Sequence, residues 1–293
     1  MHLAAVRLSG RMVSISTVTP QRDDSTTERI TLWSRRGVRL AGLLQMPAGV
    51  MDLGACATVV LCHGMESTKE GTKHTALAAR LGALGYACVR FDFSYVGESE
   101  GAFEDLTISG EVDDLGGVCD ELRRRGAGDL ALVGSSLGGT VALLHAATDP
   151  RVRALVTIAA VSRPLGIVER LGPARVETWR RTGYRAEATG RLKRDFLDDL
   201  EHHDVLGGAR ALRAATLVTH GDADDVVPVA DAHALYAALS EPKALAVTRG
   251  CDHRYSDPAH LEALLDRTVE WIATHLPTAD QRIASAWCAA PGR

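Results

Sequence analysis

The sequence predicts an α/β fold: a doubly wound, mostly parallel sheet of eight strands with a helical insertion late in the chain. Three observations carry this. Short apolar runs alternate with helical patterns along most of the chain. Several runs, such as Ala57-Thr-Val-Val-Leu-Cys62, are almost wholly apolar, as suits strands buried on both faces of a parallel sheet. One run, Asp129 to Val133, leads through Gly134-Ser135-Ser136-Leu137-Gly138 into an Ala-rich helical stretch, which is a strand, a tight turn and a helix.

The elements follow in order. Glu28 to Ser34 alternates polar and apolar, Arg35-Arg36-Gly37 turns, and Val38 to Met46 runs on, so an antiparallel hairpin opens the sheet. The Ala57–Cys62 strand stops at His63-Gly64-Met65-Glu66-Ser67. Thr72 to Gly85 has helical spacing with a Gly stop. Tyr86 to Asp92 is a strand that ends in a polar loop, Phe93 to Gly101. Ile108 to Arg125 is a helix, Leu137 to Ala147 is the helix after the turn, and Val152 to Ala159 is another buried strand. From Val161 to Ala211 the rhythm breaks. Charges are dense, the spacing of Leu192, Phe196 and Leu200 is helical, and no strand stands out. An inserted helical lid is expected there. Alternation resumes with strand Ala215–Thr219, helix Val229–Leu239, strand Lys243–Val247 and helix Pro258–His275.

These patterns divide the chain into an extension over 1–27, an α/β domain over 28–276 with its lid at about 161–211, and a tail over 277–293 whose Trp287 is a docking candidate. The apolar part of Met1–Val18 is broken by Arg7, Ser9, Gly10 and Arg11, unlike the core of a secretory signal. No window approaches the ~20 apolar residues of a membrane span. A cytoplasmic protein with no stable membrane insertion is expected. Charged residues make up 24% and the net charge is -4, which argues against nucleic acid as a partner. The six cysteines include no close CxxC pair, so a reducing compartment without a disulfide framework is expected. A small-molecule substrate is the partner expected, and a homodimer stays open.

The chemistry centres on Ser136. A serine hydroxyl is a weak nucleophile until a histidine takes its proton, and that histidine needs a carboxylate to hold its tautomer. In turns of this kind the chain order is Ser, then acid, then His. Two late loops fit. His220 to Pro228 offers Asp222, Asp224 and Asp225, and Gly250-Cys251-Asp252-His253 offers His253. Both follow strands, so they open at the same sheet edge as Ser136, where ligands bind in such sheets. The spacing leaves open which of the three aspartates serves. The N–H of Leu137, just after the nucleophile, is one donor to a developing oxyanion. Cys251 lies near His253 but lacks the strand–turn–helix context of a nucleophile. His202-His203 have no third metal ligand beside them, and the Ser94–Gly101 loop lacks the GxGxxG spacing. No metal and no organic cofactor is expected.

Four stretches carry a resemblance to a known family: Cys62-His63-Gly64-Met65-Glu66-Ser67; Arg90-Phe91-Asp92-Phe93-Ser94 through Gly97-Glu98-Ser99-Glu100-Gly101; Gly134-Ser135-Ser136-Leu137-Gly138-Gly139; and the pair Gly221–Pro228 with Gly250–His253. In this order the chain resembles the α/β-hydrolase superfamily, in particular its small-lid serine esterases of the feruloyl or cinnamoyl esterase and acylglycerol lipase-like type. The resemblance spans Glu28 to about Leu276. It implies Asp224 as the acid, three residues after Gly221, His253 as the base, and the N–H of Met65 as the second oxyanion donor. Two positions depart from the family pattern. Ser135 stands where His is common before the nucleophile, and Tyr95 lies in a loop that usually carries a His. Tyr95 shapes the pocket floor, donates a hydrogen bond, or packs. His63 is expected to hold the oxyanion loop.

The expected function is hydrolysis of carboxylic esters through an acyl-enzyme, with Ser136, Asp224 and His253 as a triad. Two other readings use the same fold: a peptidase or acyl-peptide hydrolase, and a binding protein without hydrolysis. Leu165, Ile167, Val168, Leu171 and Trp179 either line an acyl pocket or pack the lid, with packing the expectation.

Overall fold

A computed structural model describes residues 5–8, 11–14, 26–188 and 190–278. Most of the 1–27 extension, and the tail from 279 with Trp287 and Cys288, therefore lie outside the described residues. Two short strands, β1 (Ala5–Leu8) and β2 (Arg11–Ser14), pair antiparallel near the start.

The body is one eight-stranded sheet. It begins with β3 (Thr26–Trp33) and β4 (Arg39–Met46), antiparallel about the turn at Gly37. Then come β5 (Thr58–Cys62), β6 (Ala87–Phe91), β7 (Leu130–Ser135), β8 (Val152–Ile158), β11 (Ala215–Gly221) and β12 (Lys243–Thr248). The spatial order is β12-β11-β8-β7-β5-β6-β4-β3, and every pair from β12 through β6 is parallel. The expected eight-stranded, mostly parallel architecture is what forms.

Burial on both faces explains the apolar runs. Val59 and Leu61 join one core with Ala131, Val133, Ala154 and Val156, packed by α1 (Thr72–Ala83) and α9 (Pro258–His275). Val60 and Cys62 point to the other core with Leu132 and Leu155, packed by α2 (Ile108–Arg124) and α3 (Leu137–Ala146). A side-chain period of two splits each strand between the two faces. Sequence signals start two of the helices where expected. Thr107 caps α2 by accepting from the Gly110 N–H, and Asp257 caps α9 just before Pro258.

Between β8 and β11 the chain forms α4 (Leu165–Leu171), α5 (Pro173–Thr182), α6 (Arg194–Asp199) and α7 (Val205–Ala211). It also forms an antiparallel hairpin of β9 (Tyr184–Glu187) and β10 (Gly190–Lys193). The expectation of no strand in this segment is corrected here. Four-residue strands this rich in charge have little local signature, and their partners decide them. Arg191 and Lys193 pair with Glu104 and Asp105 of the single turn Phe103–Asp105. Leu192 is fully buried. Helix α8 (Val229–Ala238) completes the layer over β11 and β12.

Candidate active site

The carboxyl ends of the parallel strands share one edge, and the residues singled out above gather there. Ser136 follows β7, the His63–Ser67 loop follows β5, Asp224 follows β11 and His253 follows β12.

The turn at Ser136 is sharp. Its φ is 54° and ψ is -124°, a conformation that costs a residue with a side chain about 1–3 kcal/mol. Ser135 still belongs to β7, is buried, and pairs with Ile158, so the two serines are not equivalent. The flanking glycines are sterically required. A Cβ on Gly134 would lie 2.3 Å from the Gly138 carbonyl oxygen, and one on Gly138 would lie 2.1 Å from the His63 carbonyl oxygen. Strand, helix and the neighbouring loop approach this closely only because no side chains intervene.

The loop after β5 is pressed against the nucleophile. A Cβ on Gly64 would come within 3.2 Å of the Ser136 Cβ. Met65 follows at once. Leu137 is the first residue of α3, where a backbone N–H has no intrahelical carbonyl to reach. His63 is fully buried and ties this loop to the next. Its Nε2 accepts the Phe93 N–H at 3.0 Å, so the proton sits on Nδ1, which donates to the Gly64 carbonyl at 2.8 Å. Burial pushes its pKa down to about 4, so the ring is neutral.

His253 and Asp224 meet directly. His253 Nδ1 lies 2.7 Å from Asp224 Oδ2. Facing a carboxylate, Nδ1 carries the proton and leaves Nε2 as the basic nitrogen. Asp224 is held from every side. Oδ1 accepts the Val226 and Val227 N–H groups, each at 2.8 Å, and Oδ2 also faces His220 Nε2 at 3.3 Å. Burial works against its charge, but hydrogen bonds from His220, His253 and Val227 outweigh it and hold the carboxyl below the usual range. Its two rivals are otherwise engaged. Asp222 accepts the Gly250 N–H at 2.6 Å, and Asp225 is exposed. The acid and histidine loops interlock further: Ala223 N–H donates to the Cys251 carbonyl, and Asp222 N–H to the Thr248 carbonyl.

The remaining candidates fall outside the chemistry. Cys251 is buried and its thiol is pushed up to about 11, mainly by burial, which leaves it protonated and unreactive. Asp252 accepts the Ser256 N–H at 2.8 Å and shapes its loop. Tyr95 packs: its hydroxyl accepts from Arg36, whose guanidinium also lies 5.6 Å from the ring centroid. His203 pairs with Asp199 at 3.0 Å. Trp179 stacks on Phe196 with ring centroids 6.2 Å apart and is buried in the core, so it packs the insertion down. His220 is the residue that pattern reading passed over. It lies inside a strand, and nothing in its local sequence marks it as a neighbour of the acid.

The family described as Serine aminopeptidase, S33 matches residues 54–197. Human "Palmitoyl-protein thioesterase ABHD10, mitochondrial" is 30% identical over 230 residues, which is 72% of this chain and 72% of that protein. The chain belongs to the α/β-hydrolase family. Solved α/β hydrolases share its fold. Mouse alpha/beta hydrolase domain-containing protein 10 aligns with a TM-score of 0.72 at 23% identity, over 84% of this chain and 99% of the other. Est1E from Butyrivibrio proteoclasticus, with ferulic acid bound, aligns at 0.71 and 22% identity, over 84% and 99%. Among the described residues of this α/β hydrolase, no helix is long and apolar enough to cross a membrane.

Proposed function

We propose that this α/β hydrolase cleaves carboxylic esters, including thioesters, through an acyl-enzyme on Ser136. The hydroxyl attacks the carbonyl carbon while His253 Nε2 takes its proton. Asp224 holds His253 in the right tautomer and stabilises the imidazolium. The Met65 and Leu137 N–H groups receive the oxyanion. His253 then returns the proton to the leaving alcohol or thiol, and water, deprotonated by the same ring, releases the acid. No cofactor enters any step. We read residues 161–211 as the lid that selects the acyl group.

The observation that carries the reading is the 2.7 Å contact between His253 and Asp224, on the sheet edge where Ser136 occupies a strained turn. The human relative's name supports extending it to thioesters. The test uses p-nitrophenyl butyrate, an S-acyl thioester of the same acid and a fluorophosphonate probe. Ser136→Ala should abolish turnover of both esters and probe labelling while the fold survives. An active Ser136→Ala protein would refute the assignment. A second reading, aminopeptidase action, draws on the description of the matching family. Amino-acid p-nitroanilides separate the two: turnover of these without ester turnover would favour the peptidase.

A further inference from the structure

We infer that His220 is a positioning residue for the acid–base pair, presenting its Nε2–H to the Val227 carbonyl and to the Asp224 carboxylate together. This rests on the assignment of Asp224 and His253 made above and adds a fourth side chain to it.

The geometry is specific. His220 Nε2 lies 2.9 Å from the Val227 carbonyl oxygen and 3.3 Å from Asp224 Oδ2. A carbonyl can only accept, so Nε2 is the protonated nitrogen. The same nitrogen lies beside Asp224 Oδ2, the oxygen that His253 Nδ1 approaches from 2.7 Å. Both side chains of the His220–Asp224 pair have no solvent exposure. Among the described residues, His220 Nδ1 is buried with no hydrogen-bond partner. A buried nitrogen without a partner is costly, and leucine would fill this strand position without that cost. The geometry gives the ring a use: it braces Oδ2 beside His253, and it bridges both ends of the acid loop, since Val227 closes the turn that Asp224 opens.

The electrostatic consequence follows. Each donor on the carboxylate draws charge from it. Removing His220 leaves Oδ2 more strongly charged towards His253, which favours the imidazolium and moves the acid limb of the pH profile upward. Other ionisable groups lie around this site, among them Asp222, Arg254 and Arg267. Lys73 of α1 faces Asp224, and burial holds it down to about 8. Cys251 is raised to about 11 and Tyr255 is raised further, both chiefly by burial. Asp252 is lowered, first by its hydrogen bonds with Ser256. None of Lys73, Cys251, Tyr255 and Asp252 is shifted into the range between pH 5 and 7.

The experiment compares His220→Gln with His220→Asn. A Gln amide reaches the place of Nε2, and an Asn amide stops short at the place of Nδ1. The kcat and KM for p-nitrophenyl butyrate are measured from pH 5 to 9, with urea midpoints alongside. His220→Asn should lose about tenfold in kcat with KM within about twofold, and its acid limb should move upward. His220→Gln should recover most of the rate and the wild-type limb. Equal kcat and unmoved limbs in both variants would overturn the inference, as would a common loss of stability with no movement of the limb. Histidine ¹⁵N spectra of the wild-type protein test it independently of whether the variants fold: an Nδ1-protonated His220 at pH 8 overturns it, and the Nε2-protonated tautomer supports it. Ser136→Ala is run beside these, so a failure of the triad reading shows as retained activity there, whatever the His220 variants do.

Discussion

Lys69 and Asp92 form a buried ion pair, with Nζ 2.6 Å from Oδ2, that joins the loop after β5 to the loop after β6. Their side chains are 4% and 0% exposed. Asp92 Oδ1 also accepts the Lys69 N–H at 2.7 Å, and Oδ2 accepts the Glu98 N–H at 2.9 Å. Glu98 reaches back to Lys69 and to Arg29. Asp92 therefore braces two loops at the sheet edge, one of them carrying Met65, together with Glu98 and the His63–Phe93 hydrogen bond.

Removing Lys69 leaves the Asp92 carboxylate buried without its cation, which costs about 3–5 kcal/mol, whereas removing Asp92 leaves Lys69 its pair with Glu98. Lys69→Met should show that loss in the urea midpoint and Asp92→Asn a smaller one. The double variant Lys69→Met/Asp92→Leu should lose less than the two singles combined, because it strands no charge. Additive losses would mean that the pair is not the unit holding the loops.

Gly134 and Gly138 are expected to tolerate no side chain. With carbonyl oxygens at 2.3 Å and 2.1 Å from the added Cβ, the obstruction is backbone that cannot step aside. Gly138→Ala and Gly134→Ala should each cost about 3 kcal/mol or more. Thermal melts check this, and Gly128→Ala, which meets nothing within 4 Å, is the control.

The nucleophile position should be more stable without its side chain. At φ 54° a glycine relieves strain that alanine keeps. Ser136→Gly should exceed wild type by roughly 1 kcal/mol while losing activity, and Ser136→Ala should fall below Ser136→Gly. A Ser136→Gly protein no more stable than Ser136→Ala would show that the turn stores no strain.

Stability should decline in mild acid because of two buried rings. Burial lowers His63 to about 4 and His74 to about 3. Between these values and the ordinary 6.5 the unfolded chain binds protons that the folded chain does not. Their folded-state stability is therefore complete above about pH 6.5 and falls by roughly 1.4 kcal/mol per ring for each unit below it. Urea titrations at pH 7, 6 and 5 measure this slope. His63→Asn, which cannot take up a proton, should roughly halve it, with His74 supplying the rest.

Much of this was readable along the chain. The apolar runs at β5, β7 and β8 are legible because burial on both faces leaves almost no choice of residue type. The turn at Ser136 is legible because its glycines are demanded by close approach. The bounds of α9 follow from Asp257 and Pro258 at its start, which are local signals.

Other features depend on what lies across the fold. Asp222, Asp224 and Asp225 share one loop and one chemistry, and spacing alone does not separate them. They differ in the direction each side chain takes: to the Gly250 N–H, to His253, and to solvent. The β9–β10 hairpin exists because Leu192 finds the core and Arg191 and Lys193 find acids nearly ninety residues away. His220, inside a strand, gains its meaning from a carboxylate that returns one turn later. The sequence by itself determined the order of strands and helices and the turn that presents Ser136, because those rest on local backbone preference and side-chain periodicity. The tertiary structure alone decided which carboxylate meets His253, which strands form in the insertion and which buried groups brace the loops, because each of these is a contact between groups that the chain leaves far apart or aims only after folding.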